Sequence, residues 1–184
     1  AVASLSTDQL TALTTAQVRA IENEDLAVIA SARLATLGTA QVAALTNAQL
    51  EALGTAQLSA LTTTQTAAFT TAQIANLSPS ALAQLGTAAY ATFSTAQAAA
   101  IQTGQVSSLQ TADIAALGTA QVHALSSAVV RALEASQLAA FGTDQLRALS
   151  VTQLRALDAE DFGGLSSAQI GSFIEIEDRI LPLR

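Results

Sequence analysis

The chain has 184 residues, no cysteine, no lysine, and seven arginines against fourteen acidic side chains, for a net charge of −7. That composition rules out disulfides and thiolate metal sites, and it lacks the clustered basic footprint that nucleic-acid binding requires. Purely apolar runs are only a few residues long, far short of the roughly 20 needed to cross a bilayer, and aromatics make up 3%, too few for much ligand-stacking surface.

Leucine or a close substitute recurs every eight residues, from Leu5, Leu13 and Ile21 to Leu157, Leu165 and Phe173, which divides the chain into about 22 octads. The best-preserved units are LTTAQVRA (13–20), LGTAQVAA (37–44), LGTAQLSA (53–60) and LGTAQVHA (117–124). Their consensus is carried by Leu13, Thr14, Gln17, Val18, Leu37, Gln41, Leu53, Gln57, Leu117 and Gln121. A repeat this short cannot be a domain alone, so the core must grow along one axis, each unit resting on its neighbours.

A continuous helix advances ~100° per residue, so an eight-residue stripe would spiral around it. A strand would place octad positions one and six on opposite faces. One short helix per octad fits every position. Ser, Thr, Gly or Asp stands at position two in sixteen units and Gln at position five in fourteen, with Asp or Glu in four more. This is the capping box: the hydroxyl accepts from the N3 amide while the N3 side chain reaches back to the cap amide. Where glycine is the cap, only the Gln half remains. Residues at positions one and six are then the ends of a hydrophobic staple. Pro79, in LSPSALAQ (77–84), falls at the first helical position, which tolerates a residue without an amide hydrogen.

The fold expected is therefore all-α, a solenoid or superhelix of about 22 very short capped helices, one per eight-residue repeat. Positions one and six, with alanine at four and eight, are expected to face inward, and position seven to face solvent. Cap glycines 38, 54, 86 and 118 differ by multiples of sixteen, which suggests two alternating octad types, whereas Gly142 breaks the phase. A coil of three octads per turn is the alternative. IENEDLAVIASARLAT (21–36) and the segment from 157 onward depart from consensus, as terminal units of a stack do. The division expected is a solenoid over 1–172 and a C-terminal cap or exit linker over 173–184.

Chemistry is sparse. Asp158, Glu160 and Asp161, like Glu22, Glu24 and Asp25, occupy a cap and first turn, where negative charge meets the helix dipole. Neither cluster has the oxygen number or loop spacing of a calcium site, and Glu175, Glu177 and Asp178 form a third acidic group where the repeat dissolves. His123 is the only histidine and reads as a solvated side chain without a second ligand or a nucleophile to activate. Tyr90 replaces an aliphatic residue at position six and reads as core. Threonines at position three, such as Thr39, Thr55 and Thr63, could form a flat hydroxyl ladder suited to ice or glycan, or simply occupy a tolerant first helical position. No catalytic, cofactor-binding or metal-binding residue is assigned, no cofactor is expected, and a small-molecule substrate is not expected either. The start lacks a basic stretch followed by an apolar one, so the chain reads as mature or excised material.

The strings LTTAQV, LGTAQV and LTNAQL, spread over 5–172, resemble the alanine- and threonine-rich repeats of very large exported bacterial proteins described as adhesin- or haemolysin-like. The resemblance implies a surface or secreted structural segment and carries over no catalytic residue. The pattern L-T-x-x-Q-V also resembles helix starts in transcription activator-like effector repeats, but the eight-residue period, acidic charge and missing base-reading loop argue against DNA. The function expected is a non-enzymatic spacer or display module, extracellular or at the cell surface, whose partners are flanking domains. A self-assembling filament subunit and a solenoid that binds a protein, glycan or ice surface are the alternatives.

Overall fold

The computed structural model describes residues 2–180 and, Ala3 apart, side chains as far as Phe173. Among the described residues there are twenty α-helices and no strand, and the first nineteen helices, from Thr7–Thr11 through Val151–Leu154, are four to six residues long. The chain is an all-α solenoid with one short helix per octad. Helices this short do not persist alone, because nucleation is costly, so caps and neighbours hold them.

Most octads turn in the same way. The position-one amide closes the preceding helix onto the position-six carbonyl, as in Leu45 to Val42 at 3.1 Å and Leu117 to Ile114 at 3.2 Å. Two extended residues then redirect the chain: Leu45 at φ −57°, ψ 137° and Thr46 at φ −76°, ψ 159° lead into the helix Asn47–Ala52. The regularity stops near the end. Octad 157–164, which contains Gly163 and Gly164, makes only the 3-10 turn Asp161–Gly164, and the last two octads share one helix, Ser167–Ile180. Ile174 stands where a cap residue would start a new helix, so the existing helix continues. Pro182 and Arg184 lie outside the described residues.

Helices pack on those three octads away. Thr15–Arg19 lies on Thr39–Ala44, Asn23–Ala27 on Asn47–Ala52, Thr87–Thr92 on Thr111–Ala115, and Thr95–Ala99 on Thr119–Ala124. The core is a filled column of position-one and position-six side chains, including Val18, Leu37, Val42, Leu53, Leu117 and Val122, with Phe69, Phe93 and Phe141 as larger versions of position one. Leu13 packs against this column only partly buried.

One expected facing is corrected. Alanine at position four is exposed, as at Ala40, Ala56, Ala72 and Ala120, whereas Gln at position five is buried, Gln49 at 1% exposure and Gln153 at 2%. The inner face of so short a helix is its third and fourth residues, and position four lies on the opposite side. Burial of an amide is costly unless its polar atoms are paired, and that pairing organises the molecule.

Candidate functional site

The caps come first. Thr14 Oγ1 accepts from the Gln17 amide at 3.2 Å, and Gln17 Oε1 accepts from the Thr14 amide at 2.8 Å. With glycine as the cap only the second bond forms: Gly38 and Gly54 donate to Gln41 and Gln57 at 2.8 and 2.9 Å, and Gly118 donates to Gln121. Pro79 is the first residue of its helix, Pro79–Ala83, capped by Ser78.

The second end of the glutamine carries a contact that the local pattern does not contain. Gln41 Nε2 donates to Leu10 O at 2.9 Å and Leu13 O at 2.8 Å, which lie 31 and 28 residues earlier. The same two offsets recur at Gln49 on Val18 and Ile21, Gln57 on Leu26 and Ile29, and Gln105 on Ile74 and Leu77. Gln121 does the same to Tyr90 and Phe93. These carbonyls flank the turn between two octads, so each glutamine caps its own helix with one atom and ties it to the previous superhelical turn with another. With helices packed 24 residues apart and ties at 28 and 31, one turn of the superhelix takes between three and four octads.

That double duty explains why position five is glutamine. Glutamate could accept the cap amide as well as glutamine does, but an ionised carboxylate has no hydrogen to donate to the earlier carbonyls. Counting Asp and Glu as equivalents of Gln in the capping box holds for the cap alone. Gln17 differs from its successors in this respect: it is exposed, and only its cap bonds to Thr14 are present.

Octads without glutamine show local substitutes. Arg33, at position five of 29–36, donates from Nη1 to Leu5 O at 3.1 Å, the 28-residue offset. Ala81 leaves the Ser78 amide without its acceptor, and Glu51 Oε1 supplies one at 2.5 Å from the turn below. In the Ala89 octad the cap is Gly86 at φ +77°, the left-handed region where a side chain is strained. Asp113 takes position five of octad 109–116, and the carbonyl at its 31-residue offset, Leu82 O, accepts instead from the Tyr90 hydroxyl at 2.9 Å. Tyr90 is core, with no exposed surface, but its hydroxyl does the work of the missing amide. Burial pushes its phenol well above the ordinary tyrosine range, with the nearby Asp113 a lesser cause.

Position seven is exposed, as the pattern implies, and some of its side chains reach the next turn. Arg19 Nε donates to Ala44 O at 3.1 Å, and His123 Nδ1 lies 2.9 Å from Ala148 O, to which it donates as the Nδ1–H tautomer. Both span 25 residues and meet a carbonyl at a helix C-terminus, where cationic donors are favoured. His123 is thus a solvent-facing side chain with a structural contact. Its open groove, which also includes Thr119, Arg147 and Ser150, holds no nucleophile paired with a base.

Of the two described acidic clusters, the one at 158–161 binds backbone amides. Asp158 Oδ1 accepts from the Glu160 amide at 2.9 Å, and Asp161 Oδ2 accepts from the Asp158 amide at 2.8 Å. Glu22 stands at the cap position of Asn23–Ala27 without a side-chain cap bond, and Glu24 and Asp25 lie in the first turn, where negative charge meets the helix dipole. Among the described residues no group of three or more His, Asp or Glu is placed to hold a metal ion, and no helix is long and apolar enough to cross a membrane. The side chains of Glu175, Glu177 and Asp178 lie outside the described residues. Threonines at position three are exposed, with Thr95 and Thr119 bordering one groove.

A filled column of short capped helices, tied turn to turn by one repeated side chain, defines an α-helical repeat solenoid. The chain belongs to the ALTTAQ repeat family, whose model matches residues 18–55, 47–79, 106–143 and 138–173. The stretch between 79 and 106 that it leaves unmatched contains Ala81, Gly86, Ala89 and Tyr90, where the glutamine rule lapses. No curated protein and no solved structure matches the chain.

Proposed function

We propose that the chain is a non-catalytic structural module, a semi-rigid spacer or display segment of an exported or cell-surface bacterial protein, with flanking domains as its partners. The observation that carries this reading is the glutamine tie, made with the same atoms and offsets wherever glutamine holds position five from Gln41 to Gln153. Successive turns are fastened by buried hydrogen bonds, so stiffness accumulates with length, while the outer surface of the described residues repeats small side chains. In this reading the octads up to 172 supply the stiff element and 173–184 its cap or exit linker, entered along the helix Ser167–Ile180.

Solution X-ray scattering across a wide concentration range tests the reading. A rod of constant length supports a spacer. Length that grows with concentration replaces it with the filament reading, in which a second copy continues the column. Export is tested separately, by protease accessibility of the segment on intact cells of its source; full protection would remove the surface assignment while leaving the spacer role untouched.

A further inference from the structure

Asp113 is one of the position-five residues, with Ala81, Ala89 and Val129, that depart from the glutamine rule between Gln41 and Gln153. The Gln110 backbone amide favours its ionised form, from the end of the helix where glutamine Oε1 makes the cap bond elsewhere. Asp113 Oδ2 stands at the place in the register where glutamine donates to carbonyl oxygens, and it is buried with no hydrogen-bond partner. Leu82 O, one of those carbonyls, already accepts from Tyr90; Leu85 O is the other, at the 28-residue offset. An unpaired buried charge is strongly disfavoured.

Among the described residues the structure records no cation acting on that carboxyl. From residue 61 to 112 the chain has no Asp, Glu, Lys, Arg or His. The helix Thr111–Ala115 packs on Thr87–Thr92, whose titratable group is Tyr90, and on Ala135–Ala139, whose cap is Glu134. A phenol and an acid are the groups on the facing helices, and neither stabilises a carboxylate by charge.

We propose that Asp113 is carried in the folded column as the neutral acid, its proton taking the place of glutamine's amide hydrogens, so that ionisation loosens the turn bearing 109–116 from the turn bearing 82–90. The chain thus contains one pH-sensitive joint among pH-insensitive glutamine ties. Burial pushes the Asp113 carboxyl above the ordinary range, with the Gln110 amide opposing it. A raised folded pKa means that the joint's full stability is present in acid, below the unfolded carboxylate value, and is lost as pH rises through the folded one. The joint tightens in acid and loosens as pH rises through the folded pKa.

The test is the carbon-13 shift of the Asp113 carboxyl in the intact chain, titrated beside the exposed Asp8 and Asp144, with amide exchange at 82–92 and 109–117 followed over the same pH range and corrected for intrinsic rates. The expected result is a protonated Asp113 at a pH where both references are ionised, with protection falling about tenfold per pH unit between the midpoints. Asp113→Asn should abolish that fall. A midpoint coincident with the references, or an equal fall in the Asn variant, would overturn the proposal; if that variant does not fold, the carboxyl titration alone decides.

Discussion

Gln105 Nε2 donates to the carbonyl of Leu77 at 2.8 Å, across 28 residues of chain, while Oε1 of the same side chain accepts from the Gln102 amide at 2.7 Å. One planar amide therefore joins a helix start to the turn beneath it. Both its donor and its acceptor are used, which is the condition for burying it without penalty.

Gln105→Glu separates the two ends. The carboxylate keeps the cap bond and loses the bonds to Ile74 and Leu77, placing charge against their oxygens. At neutral pH the variant should lose about 2–3 kcal/mol, in line with an unpaired buried polar group, and recover part of it in acid as the carboxyl protonates. Urea unfolding followed by circular dichroism at two pH values measures this. Wild-type stability at neutral pH would show that the ties contribute nothing.

Gln17 and Gln49 offer a cleaner comparison, since both sit in threonine capping boxes and only Gln49 continues to Val18 O and Ile21 O. Gln17→Ala should cost about 1 kcal/mol, the worth of a cap, and Gln49→Ala about 2–3 kcal/mol, because it also strips donors from buried carbonyls. Equal losses would reduce glutamine to a capping residue. Thermal unfolding of the two variants decides.

Tyr90 and Asp113 form a compensating pair. Tyr90→Phe leaves Leu82 O without its hydroxyl donor and should cost about 1–3 kcal/mol. Adding Asp113→Gln supplies the amide that the register calls for and should recover most of the loss. A double-mutant cycle reads the coupling, and strict additivity of the two substitutions would show that the residues act independently.

Two cap glycines should respond in opposite ways. Gly54 is extended at φ −73°, so Gly54→Ser adds the missing half of a capping box and should stabilise the chain by a few tenths of a kcal/mol. Gly86 is at φ +77°, and Gly86→Ala should destabilise by about 1 kcal/mol through backbone strain. Melting temperatures that move in the same direction would contradict the cap geometry at one of the two sites.

What could be read from the sequence was local. Thr14 and Gln17 are three residues apart, Pro79 follows its cap directly, and Leu13 and Val18 bracket one helical turn. Capping and periodicity act over that range, so one short helix per octad followed from the amino acids alone. The outward face of Ala40 and the inward face of Gln41 did not, because a four-residue helix has too little periodicity of its own to say which side will be covered. The ties from Gln41 to Leu10 and Leu13, the replacement of an amide by Tyr90 across 23 residues from Asp113, and the three to four octads in each turn were decided by the tertiary structure. Those depend on the angle through which two extended residues swing each helix onto the column, and that angle is set by how position-one and position-six side chains fill the space between turns. The sequence supplied a glutamine with two hydrogen-bonding ends; packing determined what the second end would meet.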